Sequence, residues 1–278
     1  MKEHIDPSLF TQKVATYYDG KREDFNYLLA PDGLVHHHSG ICPPDAIFPE
    51  DMSEDELLRT IHGQENALTE FAMNFLSISP SVIGLDAGSG RGASSFVLNR
   101  RFGCSIVGIN ISPYQTKFAV EKSRLLKVKD QVQFIEGDMT KIPFAENTFD
   151  FVWACESTEH VPDLEKMFGE FARISKPHAQ LLIVAWCASS NHPDTPEIVA
   201  QINEAYVYSL HTRDEYIQTA NATGWHIATS YDLTAQIVPY WALRNRSANK
   251  PGTESFMYRG FKTRALEYYL MKFEKARQ

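Results

Sequence analysis

The chain has 278 residues, 43% of them hydrophobic and 22% charged, with a formal net charge of −8. That length suits one α/β domain with additions or two small domains, and that composition carries a packed core and excludes a disordered chain. The acidic balance argues against a nucleic-acid or anionic-membrane binder, which needs a basic face. No apolar run approaches the roughly 18 residues of a membrane-spanning helix, so no stable membrane insertion is expected. Met1-Lys2-Glu3-His4-Ile5-Asp6 carries acids and no apolar stretch, so no secretory signal is visible. Cys42, Cys104, Cys155 and Cys187 have no paired spacing, which fits neither a disulfide framework nor a zinc site. The expected setting is cytoplasmic.

Residues 7–30 read as a helix, with Phe10, Val14 and Tyr17 or Tyr18 on one face and Pro31 ending it. The following Asp32-Gly33-Leu34-Val35-His36-His37-His38-Ser39-Gly40-Ile41-Cys42-Pro43-Pro44 is too punctuated for a regular element. Residues 53–77 return to a helical pattern, opened by Ser53 with Glu56 at capping-box spacing. The first eighty residues are thus expected to form a helical extension with one polar loop. From residue 81 short apolar runs alternate with amphipathic helices. Strands are expected at 82–86, 105–109, 132–136, 149–154 and 180–186, and helices at 91–101, 113–126 and 163–174. This alternation predicts a parallel sheet with helices on both faces. Residues 192–224 read as helical, a cap insertion spanning about 190–224 within a domain of residues 81–278. A strand at 225–233, a mostly helical stretch at 239–261 and a final, antiparallel strand at 266–273 complete the chain.

The first strand runs into Gly84-Leu85-Asp86-Ala87-Gly88-Ser89-Gly90-Arg91-Gly92. Glycines such as Gly88 and Gly90 between strand and helix let the backbone approach a ligand closely. The pattern is G-x-G-x-G rather than G-x-G-x-x-G, and Asp86 stands at the strand's end. A carboxylate there repels a pyrophosphate and suits a cation such as the ammonium of an amino acid, which favours S-adenosylmethionine over NAD. Asn110, closing the second strand, and Gln115, one turn into the next helix, can exchange hydrogen bonds with a ribose. Asp138, after the third strand, can accept from an adenine amine, with Met139 packing on the ring. Each alone also reads as a cap or core filler; at successive strand ends they describe one crevice.

These segments, together with Phe149-Asp150-Phe151-Val152-Trp153, resemble the class I S-adenosylmethionine-dependent methyltransferases over roughly residues 80–190. A narrower resemblance covers nearly the whole chain. Asp32 to Ile41, Glu156-Ser157-Thr158, Ile202-Asn203, Leu210-His211-Thr212-Arg213-Asp214-Glu215-Tyr216 and Val238-Pro239-Tyr240-Trp241-Ala242-Leu243-Arg244 look like the bacterial terpenoid C-methyltransferases of the geranyl diphosphate 2-C-methyltransferase type. That group is related to the teleocidin-type terpenoid methyltransferase and cyclase. Glu156-Ser157-x-Glu159-His160 is also similar to tocopherol and sterol C-methyltransferases.

The resemblance implies a Rossmann-like sheet, S-adenosylmethionine as methyl donor, and methylation of an isoprenoid double bond through a carbocation, ended by loss of a proton or by cyclisation. A carboxylate can stabilise such a cation and remove the proton, and aromatic faces can stabilise it as well. Glu156, just past the fourth strand, matches the glutamate attributed to the prenyl diphosphate enzymes; read from its position alone it is also a plain loop acid. His160 reads as a second base or as a group that orients Glu156. In the prenyl diphosphate relatives the His36-His37-His38 region closes the site and helps bind magnesium diphosphate, with Asn26 and His37 as metal candidates if the substrate bears a diphosphate. Arg244 and Arg246 suit phosphate oxygens. Tyr18, His38, Tyr206, Tyr240, Trp241 and Arg244 are expected at the substrate. A terpenoid side chain without diphosphate is the competing substrate, for which Glu159-His160 is a departure from the prenyl diphosphate pattern. A catalytically silent donor-binding scaffold is the competing class. The chain is further expected to form a homo-oligomer.

Overall fold

A computed structural model describes residues 7–21, 33–250 and 252–276. Helix α1 (Pro7–Gly20) opens with a proline, whose missing amide costs nothing in a first turn. The expected continuation to residue 30 lies outside the described residues. Helix α2 (Glu54–Met73) starts as its sequence dictates: the Ser53 hydroxyl accepts from the Glu56 amide while the Glu56 carboxylate accepts from the Ser53 amide. Its apolar side, Leu57, Ile61, Leu68 and Ala72, is buried.

The remainder alternates strand and helix: β1 (Ile83–Ala87), α3 (Ala93–Phe102), β2 (Ser105–Asn110), α4 (Pro113–Leu125), β3 (Val132–Glu136), β4 (Phe149–Cys155), α5 (Leu164–Ile174) and β5 (Ser175–Ala188). Next come α6 (Thr195–Tyr206), α7 (Arg213–Ala222), β6 (Trp225–Asp232), α8 (Thr234–Arg244), α9 (Glu254–Thr263) and β7 (Leu266–Lys275). The seven strands form one sheet in the order β3-β2-β1-β4-β5-β7-β6. The first five are parallel; β7 runs antiparallel between β5 and β6. Strand order reverses between β1 and β4, and a doubly wound sheet opens its ligand crevice at that place.

Period-two alternation divides the sheet between two cores. Phe151, Trp153, Leu182, Val184 and Trp186 face one layer, built with α2, α3, α8 and α9. Val152, Ala154, Leu181, Ile183 and Ala185 face the other, where α5 contributes Leu164, Met167, Phe168, Phe171 and Ile174. Gly84 leaves the room that the Phe151 ring occupies.

The structure corrects several expected boundaries. Helix α3 begins at Ala93, not 91, because Gly90 and Gly92 are left-handed, at φ 54° and 87°. Strand β5 begins at Ser175, which pairs with Phe149 ahead of a bulge that takes up Pro177 and the left-handed His178 (φ 64°). The stretch at 192–224 is two helices: Val207 turns left-handed (φ 57°) after α6, and α7 restarts on the Thr212–Glu215 capping box. Helix α8 starts at Thr234 and tolerates Pro239 in its second turn.

Candidate active site

The carboxyl ends of β1, β2 and β3 and the β4–α5 turn enclose a cavity, with Thr11, Val14 and Tyr18 of α1 and His36 to His38 also in its wall. Asp86, Gly88, Gly90, Asn110, Gln115, Asp138, Met139, Glu156 and His160, all expected from the sequence, line it. Three of these positions carry strong physical reasons for their residue. Gly88 has φ 78°, and a Cβ there would collide with the Ser157 side chain, whose hydroxyl donates to the Ala87 carbonyl at 2.7 Å. Asp86 is buried and accepts from the Ser95 hydroxyl of α3. Burial pushes its carboxyl up to about 7, against the hydrogen bonds from Ser95, so an ammonium placed beside it would meet a carboxyl short of a cation. Asn110 donates to Gln115 at 3.0 Å, and Gln115 is held by the Ser112 cap through its amide, so the two polar candidates at β2 form one unit.

Glu156 follows β4 in the left-handed region (φ 47°), a conformation uncommon for a glutamate. Its own amide donates to the Val184 carbonyl of β5 at 2.8 Å. Oε1 accepts from the Ser39 amide at 2.8 Å and from the Tyr268 hydroxyl at 2.6 Å; Oε2 accepts from the Ser39 hydroxyl at 3.3 Å. Burial raises the carboxyl to about 7, while these donors pull it down. Three residues on, Glu159 is fully buried and takes the Trp186 amide at 2.8 Å; burial, then the charge on Glu156, raises it to about 8.

The histidine run resolves by alternation. His36 and His38 turn toward α2, their rings 4.6 Å apart; His36 meets Asn66 at 3.1 Å and His38 meets the Thr69 hydroxyl at 3.0 Å. His38 also donates through Nδ1 to the Ser39 carbonyl at 2.8 Å, so both its ring nitrogens have partners within the protein. His37 and Ser39 point the other way. His37 lies on the glycine loop, about 3.5 Å from where a Gly90 Cβ would stand, with Gln115 at 3.4 Å. Among the described residues no group of three His, Cys, Asp or Glu side chains is placed to hold a metal ion. Asn26 lies outside the described residues.

His160 has both ring nitrogens occupied, Nδ1 by the Val207 carbonyl at 3.0 Å and Nε2 by the Tyr18 hydroxyl at 2.8 Å. The carbonyl can only accept, so Nδ1 carries the proton and Nε2 accepts from Tyr18. Burial lowers this imidazole to about 4, and Ser39 and Tyr268, not His160, hold Glu156. Four residues expected at the substrate stand back from this cavity. Tyr206, Tyr240 and Trp241 join the aromatic cluster around Trp186 on the neighbouring core. Arg244 is buried there in an ion pair with Glu254 at 3.4 Å and donates to the Tyr240 hydroxyl at 3.1 Å, which in turn donates to Glu65. Arg246 is bound to the carbonyls of Pro49 and Glu50 at the surface. A buried cation needs a partner anion, and Glu254 fills that place. Ser39, Tyr268 and Glu159 were not singled out as site residues from the sequence. Ser39 sits in the histidine segment and alternation would have exposed it, whereas nothing local marks Tyr268.

A sheet of this order with an acid at the end of β1 and a glycine loop before α3 defines a methyltransferase, and the family model described as a methyltransferase domain matches residues 85–183. The chain is 31% identical to geranyl diphosphate 2-C-methyltransferase of Streptomyces coelicolor over 94% of its own length and 91% of the relative's. It superposes with TM-score 0.92, at 29% identity and over 98% and 100% of the two chains, on geranyl diphosphate C-methyltransferase from Streptomyces coelicolor A3(2) in complex with Mg2+, geranyl-S-thiolodiphosphate and S-adenosyl-L-homocysteine. A geranyl diphosphate methyltransferase in complex with GPP and sinefungin gives 0.91, at 29% identity over 95% and 98%. The chain belongs to the geranyl diphosphate 2-C-methyltransferase family.

Proposed function

We propose that the chain methylates carbon at a double bond of a prenyl diphosphate, with S-adenosylmethionine as donor. The observation that carries this reading is Glu156: a buried carboxylate in strained backbone, held by three donors on the wall that it shares with the Asp86 crevice. Bound S-adenosylmethionine supplies an electrophilic methyl group. The residues at the β1–β3 ends bind it: Asp86 pairs with its amino group, Asn110 and Gln115 take the ribose, and Asp138 and Met139 take the adenine. The substrate π bond forms the new C–C bond as the S–CH3 bond breaks, leaving positive charge on the substrate. Glu156 stabilises that charge and accepts the proton whose loss restores a double bond.

The relatives' substrate supports the diphosphate, and the Streptomyces coelicolor structure with geranyl-S-thiolodiphosphate also holds Mg2+. Among the described residues no three His, Cys, Asp or Glu side chains converge on a metal position, and magnesium is ordinarily held by one or two carboxylates together with the substrate's own phosphates. The test is turnover with methyl-labelled donor against prenyl diphosphates of increasing length and prenylated aromatic compounds, each with and without EDTA. Label in a prenyl diphosphate, lost on chelation and restored by magnesium, is the expected outcome. Label only in a substrate lacking diphosphate, undiminished in EDTA, overturns it.

A further inference from the structure

Two donors converge on one oxygen of Glu156: the Ser39 amide and the Tyr268 hydroxyl. An amide can only donate, so this arrangement suits a carboxylate better than a protonated acid. Tyr268 is fully buried and fixed at both ends of its peptide. Its amide donates to the Thr234 hydroxyl at 2.9 Å, and its carbonyl accepts from the Leu233 amide at 2.7 Å. The start of α8 therefore sets where the phenol reaches, and β5 sets where Glu156 waits. We infer that Tyr268 is a positioning residue for Glu156: its phenol aims one carboxylate oxygen and favours the ionised form. This rests on the reading of Glu156 as the carboxylate that meets the substrate cation.

The surrounding titratable groups leave two competitors, Glu159 and Asp86, the latter on the same cavity wall and likewise raised by burial to about 7. Tyr18 from α1, Tyr206 and Tyr208 at the end of α6, Tyr240 from α8 and Cys155 from β4 are all raised by burial, so they stay protonated near neutrality. His36 and His38 from the histidine segment, and His160, are lowered by burial and stay uncharged. Glu159 is the neighbour that titrates together with Glu156.

The experiment is the pH profile of kcat for Tyr268→Phe, with the wild type and Glu156→Gln alongside. Loss of one hydrogen bond to a charged group should move the acid limb up by about one to two pH units. Donor affinity, measured by calorimetry, should stay within about twofold. In the Glu156→Gln background Tyr268→Phe should cost nothing further, because its effect passes through Glu156. Fluorotyrosine at 268, a stronger donor that keeps the ring, should move the limb down and replaces the phenylalanine variant if that fails to fold. An unmoved acid limb in both, or an equal loss of turnover with and without Glu156, overturns the inference. Near-native turnover of Glu156→Gln alone removes the underlying reading of Glu156, and this inference with it.

Discussion

Asp86 and Glu156 are both carboxylates driven into a low-dielectric wall, yet their surroundings prepare them for different partners. Asp86 has a serine hydroxyl and an open cavity before it, so it lacks a cation. Asp86→Ala should weaken S-adenosylmethionine binding by about 10- to 150-fold, the range for a lost hydrogen bond to a charged group; calorimetric titration reads this directly, and an unchanged Kd removes Asp86 from the donor site. Glu156 is surrounded by donors but remains buried, with its carboxyl raised from 4.5 to about 7. A folded-state value above the unfolded one contributes stability that is complete below pH 4.5 and is lost as pH rises through about 7. Glu156→Gln removes that dependence. Relative to the wild type it should gain stability between pH 5 and pH 8, on the order of 3 kcal/mol at most. Thermal melts at the two pH values check the sign. A variant whose advantage shrinks toward pH 8 would show that Glu156 is not held above its ordinary range.

At the scale of elements, the strands and helices from β1 to β4 were legible because each obeys its own local grammar. Short apolar runs mark the strands, Ser112-Pro113 opens α4, and Gly103 closes α3 in left-handed geometry. What was not legible depends on neighbours distant in sequence. Arg244 reads as a free guanidinium until Glu254 is folded against it. Tyr268 reads as strand core until β7 carries it beside Glu156, 112 residues away in the chain. His38 reads as a ligand until alternation along the segment turns it toward Thr69. The glycine at 84 illustrates the same dependence in a strand: nothing in the G-L-D-A sequence reveals that the Phe151 ring of β4 fills the space of its missing side chain. Gly84→Ala should force that buried ring to shift, at about 1–3 kcal/mol, and lower Tm by about 3–10 °C. A melt within about 1 °C of wild type, a cost of about 0.5 kcal/mol or less, would mean that β1 and β4 are less tightly packed than described.

For the whole molecule, the topology brings the Asp86 crevice and Glu156, the proposed proton acceptor, together on one sheet edge. The crevice is built by β1, β2 and β3, while Glu156 emerges from β4 across the point where strand order reverses. The histidine segment then closes both, with His37 against the glycine loop and Ser39 against Glu156 only two residues apart. Helix α1 completes the wall: Asp19 accepts from the Tyr114 amide at the start of α4, and Arg91 from the glycine loop donates to the Lys21 carbonyl at 2.6 Å. In the proposed function donor binding and cation quenching belong to separate side chains in one enclosure, so substitution at the second should leave the first intact. The most direct test is Glu156→Gln with methyl-labelled S-adenosylmethionine and geranyl diphosphate, reading donor Kd, turnover and the products by mass spectrometry. Donor Kd should stay near that of the wild type while turnover falls by about 10²–10³, the usual cost of removing one preorganised stabilising group, and residual products should shift toward other alkene isomers or hydrated species. Near-native turnover with an unchanged product profile would contradict the assignment of Glu156 to the substrate cation.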